Sequence, residues 1–138
     1  MNFEKLTNQL IEHEGERLKP YLCPAGKLTI GIGRNLDAKG ISKEESRILF
    51  TNDIEECMKD MKYLFVMFDS YPEKIQHVLL DMRFQLGYGG FRRFKKMIWA
   101  FQKLELENAV KEMEDSLWYR QVPTRAKKLT EIVKQFVE

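Results

Sequence analysis

Glu14-Gly15-Glu16-Arg17-Leu18-Lys19-Pro20-Tyr21-Leu22-Cys23-Pro24-Ala25-Gly26-Lys27-Leu28-Thr29-Ile30-Gly31-Ile32-Gly33 marks a change of texture, from helical spacing to short apolar pieces separated by Pro and Gly. Before it, Phe3, Leu6, Leu10 and Ile11 recur on one helix face and Gly15 stands where a glycine would end the helix, which predicts a first helix over 3–14. Within it, Pro20, Pro24, Gly26, Gly31 and Gly33 punctuate pieces such as Lys27-Leu28-Thr29-Ile30. That pattern predicts a small β-hairpin turning near Pro24-Ala25-Gly26. Gly31-Ile32-Gly33 is a lone glycine pair, which fits tight packing better than a cofactor loop.

Beyond the hairpin the chain returns to helical periodicity. Ser42 and Glu45 have the form of a capping box, and Ile48, Leu49, Ile54, Met58, Met61, Leu64 and Phe65 continue at helical intervals, which predicts a long helix over about 42–66. Ser70 with Glu73 repeats the box, with Pro72 in the first turn. Ile75, Val78, Leu79, Met82, Phe84 and Leu86 then read as a helix buried on most sides and ending at Gly87. Gly87-Tyr88-Gly89-Gly90 reads as a flexible joint, followed by a short helix carrying Phe94, Met97, Ile98 and Phe101. Further helices are expected near 106–115 and, after Pro123, over 124–136. The fold class is α+β: a mainly helical bundle with a small N-terminal β-lobe and a cleft where the two meet. One domain, 1–138, is expected, with a β-lobe of about 15–41 and a helical lobe of 1–14 and 42–138.

Composition bounds the function. The 138 residues are 43% hydrophobic and 32% charged. A domain of this size buries roughly 65–70% of its unfolded surface and needs neither metal nor disulfides to fold. No window approaches the roughly 20 apolar residues of a membrane span, and Met1 to Glu16 is too charged for a secretory signal. The expectation is a soluble protein, made in the cytoplasm and without stable membrane insertion. A net charge of +2 is too balanced for a nucleic-acid binder. The charge is uneven, however: residues 1–90 hold 12 basic and 14 acidic side chains, and residues 91–138 hold 11 and 7. Phe91-Arg92-Arg93-Phe94-Lys95-Lys96 carries four cations and no acid, and reads either as a solvated helix face or as an attractor for an anionic polymer.

Glu14 is the first candidate for chemistry. It falls in the last turn of the first helix, where the partial negative charge of the helix end disfavours a second anion and favours the protonated carboxyl. A carboxylic acid kept protonated is what donating a proton to a glycosidic oxygen requires. The plain alternative is a solvated Glu like Glu12 and Glu16. Cys23 and Cys57 have no neighbouring ligand cluster, and His13 and His77 have no ligand spacing, so no metal is expected. A Cys23–Cys57 disulfide would consume the thiol of interest.

Three pieces of the chain, in order, resemble one family. Glu14 is followed nine positions on by Cys23 and six further on by Thr29, ahead of Gly31-Ile32-Gly33. Phe84-Gln85-Leu86-Gly87 and Ser116-Leu117-Trp118-Tyr119-Arg120-Gln121-Val122-Pro123-Thr124-Arg125-Ala126 follow. Together they resemble the phage-type, T-even-like lysozymes, the endolysins of glycoside hydrolase family 24. The resemblance implies a muramidase that cleaves the β-1,4 bond between N-acetylmuramic acid and N-acetylglucosamine in peptidoglycan, without a cofactor. It implies Glu14 as general acid, Thr29 as a holder of the attacking water, and inversion at the anomeric carbon.

Cys23 stands where most members have Asp. An ordinary thiol is mostly neutral at pH 7, so Cys23 would act as base, as nucleophile, or by positioning alone. Phe84 and Gln85 match glycan-contacting positions, although Phe84 reads equally as core and Gln85 as a helix-end cap. Tyr21 and Thr29 also read as plain strand residues. Arg125 matches an arginine that approaches the catalytic Glu, and Trp118 and Tyr119 are expected to pack in the core. Arg34 replaces a His that pairs with an acid in the T-even type, with Asp37 or Asp53 as the candidate partner here. The β-lobe is shorter than in that type. A monomer is expected, acting on glycan strands of the cell wall after release from the host cytoplasm through a holin-type pore. The alternatives are a catalytically weakened peptidoglycan-binding module and a membrane-active basic helix at 91–103.

Overall fold

A computed structural model describes all 138 residues and divides them into two compact units, Met1–Ile48 and Leu49–Glu138. The first unit opens with α1, Phe3–Glu14, capped at its start by Asn2, whose Oδ1 accepts the Lys5 amide at 3.0 Å. A cap of this kind contributes about 0.5–2 kcal/mol. The helix closes at Gly15, whose amide donates to the Ile11 carbonyl at 2.7 Å. The predicted bounds and stop are both found.

A three-stranded antiparallel sheet follows, β1 (Arg17–Leu22), β2 (Leu28–Gly31) and β3 (Arg34–Asn35), in the order β1-β2-β3. Tyr21 pairs with Thr29 and Leu22 with Leu28, while Thr29 also pairs with Asn35 and Ile30 with Arg34. The β1–β2 register is irregular between Arg17 and Tyr21, where Pro20 has no amide to donate. The predicted turn is closed by the Cys23 amide on the Lys27 carbonyl at 2.9 Å and the Gly26 amide on the Cys23 carbonyl at 2.8 Å. β3 and the one-turn helix α2, Leu36–Lys39, are too short to leave a periodic signal in sequence. Asn35 caps α2 by accepting the Ala38 amide at 3.0 Å.

Helix α3, Lys43–Leu64, runs through the division between the units. Its capping box forms as predicted: the Ser42 amide donates to Glu45 Oε1 at 2.8 Å and the Glu45 amide to Ser42 Oγ at 3.1 Å. The same glutamate takes the role expected of Asp37 or Asp53. Arg34 grips Glu45 with both arms of its guanidinium, at 3.0 and 2.7 Å, and also donates to the Gly40 carbonyl at 3.1 Å. The physical reason is that the box folds the Glu45 carboxylate back over the helix start, while Asp37 is engaged by the Leu28 amide at 2.7 Å. Arg34, then the Ser42 amide and hydroxyl, hold the Glu45 carboxyl down at about 2.

In the second unit a 3-10 turn, Phe68–Ser70, precedes α4 (Glu73–Arg92), α5 (Lys95–Gln102), α6 (Leu106–Glu114), α7 (Leu117–Gln121) and α8 (Pro123–Lys134). Phe65, Phe68, Ile75, Val78, Leu79, Met82, Phe91, Phe101, Met113 and Val133 are completely closed to solvent. Phe65 meets Phe91 and Phe101 edge to face, and the buried Tyr71 hydroxyl donates to the Phe101 carbonyl at 2.8 Å. Arg83 is also buried, with Nε on Asp60 at 2.7 Å and Nη2 3.6 Å from Glu56. No helix is long and apolar enough to cross a membrane.

Two expectations differ from the structure. The Ser70–Glu73 box does not form: Ser70 Oγ donates to the Met67 carbonyl at 2.6 Å, and α4 starts from Pro72 with no side-chain cap. Gly87 breaks the helix as expected, with φ 73° and ψ 168°, but the residues after it return to helical turns up to Arg92 in place of the flexible joint. The short α7, capped by Ser116 Oγ on the Tyr119 amide at 3.2 Å, was not foreseen.

Candidate active site

The last residue of α1 is Glu14, and its exposed side chain lies against the β2–β3 turn. The contact is at Gly33. An ideal Cβ on Gly33 would stand 2.7 Å from Glu14 Oε2, 3.0 Å from Cδ and 3.2 Å from Cγ. Carbon and oxygen do not approach that closely without displacement, so the carboxyl occupies the volume a side chain at position 33 would take.

The first unit brings Cys23 and Thr29 together. Thr29 is the one buried side chain of β2, held there because it pairs with Tyr21 on one side and Asn35 on the other. Its Oγ1 donates to the Lys27 carbonyl at 2.9 Å and is also within hydrogen-bond reach of the Cys23 thiol. Cys23 is half-buried at the end of β1, where the turn folds backbone amides onto its sulfur. The Lys27 amide is the main cause that lowers the Cys23 thiol from its ordinary value; the Ala25 amide and Thr29 hydroxyl add to it, and desolvation opposes them. A turn of this kind favours thiolate. Cys57, in contrast, is buried and pushed up by desolvation, as an inert thiol is.

In the second unit, Phe84 and Gln85 are consecutive on α4, just before the Gly87 kink. Phe84 is 41% exposed, with its ring tilted against Phe50 at 5.7 Å between centroids. Gln85 directs its carbonyl oxygen to the indole of Trp118, which donates at 3.0 Å, rather than capping the helix end. Trp118 is buried and meets Phe94 edge to face, a packing role as expected. Arg125, in the first turn of α8, donates from Nε to Asp81 Oδ1 at 2.7 Å and from Nη2 to the Asp81 main-chain carbonyl at 3.4 Å, and Nη2 lies 2.7 Å from Oδ1 in the same ion pair. Asp81 as the holder of Arg125 went unread, because the two are 44 positions apart and no local pattern links them.

The basic run is not one helix face. Arg92 ends α4, Lys95 begins α5, and Phe91 between them and the core is fully buried. Arg92 covers the Tyr88 ring at 5.3 Å, and Lys103 covers the exposed Trp99 ring at 4.4 Å. Arg93, Phe94 and Lys96 line a recess of about 320 Å³ with Glu112 and Ser116. The structure has no group of three His, Cys, Asp or Glu side chains arranged to hold a metal.

The description "Phage lysozyme" belongs to a family whose model matches residues 11–134. The chain belongs to the phage lysozyme family. Members are glycoside hydrolases of the lysozyme type, and so is this chain. It is 29% identical to the pre-baseplate central spike protein Gp5 of Enterobacteria phage T4, over 93% of this chain but only 27% of that protein. It is 26% identical to probable T4-type lysozyme 1 of Dictyostelium discoideum, covering 87% of this chain and 88% of the relative. Probable T4-type lysozyme 2 of the same organism is 24% identical, with 92% of each chain covered.

Proposed function

We propose that the protein is a muramidase that hydrolyses the β-1,4 bond from N-acetylmuramic acid to N-acetylglucosamine in bacterial peptidoglycan, with Glu14 as general acid. The observation that carries this reading is local to the first unit. Glu14 ends α1 with its carboxyl against Gly33 in the β2–β3 turn, and Cys23, just past β1, shares a hydrogen bond with Thr29 on β2, in a chain of the phage lysozyme family. Glu14 gives its proton to the bridging oxygen as the bond to the anomeric carbon breaks. A water held by Thr29 and Cys23 adds to that carbon from the opposite face, and its proton passes to the Cys23 thiolate. Glu14 is left as carboxylate and Cys23 as thiol, and exchange with solvent restores both. The product anomer is inverted.

Phe84, exposed on α4, and Gln85 contact the glycan in this reading. An endolysin role, with a monomer reaching the wall through a holin-type pore, belongs to the same proposal and rests on the family likeness.

Glu14→Gln is the test. Clearing of a peptidoglycan suspension and release of reducing ends should fall by about 10²–10⁴ with the circular dichroism unchanged. A variant that lyses at the wild-type rate overturns the assignment of Glu14. Wild-type protein that binds the suspension and releases no reducing ends is a binding module and not a muramidase.

A further inference from the structure

We infer that Gly33 is a positioning residue for Glu14, its missing side chain being the space in which the carboxyl is held. The inference rests on the reading of Glu14 as general acid and adds what fixes that acid in place. A general acid has to reach the leaving oxygen within hydrogen-bond distance, and a misplacement of about 1 Å costs on the order of 10²-fold in rate. One wall of the Glu14 carboxyl is the bare Cα of residue 33, since the first substituent there would fall 2.7 Å from Oε2 and within 3.2 Å of Cγ and Cδ. All three atoms belong to the far end of the exposed Glu14 side chain, so a methyl group at 33 is admitted by swinging the carboxyl out of its place and not by moving backbone.

The same turn supplies its own control. Gly31, two residues earlier, has φ 67°, and Gly33 has φ 66°, so a side chain meets a positive φ at either place. A Cβ on Gly31, however, has nothing within 4 Å. The two positions therefore separate the cost of a left-handed backbone from the cost of filling the carboxyl's space.

The experiment compares Gly33→Ala with Gly31→Ala in the full chain, by thermal melting and by kcat and KM on solubilised peptidoglycan across pH. The two variants should lose similar amounts of thermal stability. Gly33→Ala should lose on the order of 10–10² in kcat with KM within about two-fold, and its pH optimum should move, whereas Gly31→Ala should keep kcat within about two-fold at an unmoved optimum. Should Gly33→Ala not fold, the pair Gly33→Asn and Gly31→Asn gives the same comparison, because Asn tolerates positive φ better. Equal losses at the two positions, or no loss at 33, overturn the inference. If Glu14→Gln is inactive while both glycine variants work normally, the inference fails and the assignment of Glu14 stands. If Glu14→Gln remains active, the underlying reading fails first.

Discussion

Cys23 occupies a turn built to favour its anion. The amides of Lys27 and Ala25 and the hydroxyl of Thr29 draw the thiol below its ordinary 9.0. A residue that works as thiolate gains its active form as pH rises through that lowered value, so activity should climb with pH at a midpoint below 9.0. Cys23→Ser, whose hydroxyl does not ionise in this range, should lose that rising limb and most of kcat. Cys23→Asp should keep activity and move the limb toward the carboxylate range near 4. Rate profiles of the three proteins decide it, and a Ser variant at wild-type rate removes Cys23 from the chemistry. Glu14, Cys23 and Thr29 are candidates that the family resemblance draws from the sequence. The Gly33 contact is not legible there, because spacing does not tell which way a side chain turns at a helix end.

Between elements, one carboxylate joins the sheet to a helix start. Glu45 belongs to the Ser42 box and at the same time to Arg34 on β3. Its folded value of about 2 lies below the ordinary 4.5, so its stabilisation is complete above about 4.5 and is lost as pH falls from there through about 2. Glu45→Gln should therefore melt at a lower temperature than wild type at pH 7, with the gap closing as pH approaches 2. A gap independent of pH would show that the pair contributes nothing through charge. The same two-residue pattern succeeded at Ser42–Glu45 and failed at Ser70–Glu73. At the second place the Met67 carbonyl is 2.6 Å away and captures the Ser70 hydroxyl, a competition between neighbours that the pattern does not encode. Gly87 likewise announced a break in the helix correctly, but not that Tyr88 to Arg92 would return to helical geometry.

For the molecule as a whole, burial is unequal. Every residue of the contiguous apolar core lies in the second unit, while Thr29 is the sole fully buried side chain of the first. Phe65, closed to solvent and in ring contact with Tyr71, Phe91 and Phe101, sits at the centre of that core. Phe65→Ala should cost about 3–5 kcal/mol in a denaturant titration, and a loss under about 1 kcal/mol would mean the core repacks around it. The helical periods behind this core were plain in the sequence because α4, α6 and α8 each bury a regular stripe. The first unit has no comparable stripe, and the Arg34–Glu45 pair acquires a different significance there. It closes the segment from β3 to α3 across eleven positions, as a cross-link would, and lowers the entropy of the loop it spans. Unlike a disulfide, this staple is indifferent to thiols and oxidants and is weakened instead by acid and by salt, so the closure does not depend on reducing or oxidising surroundings.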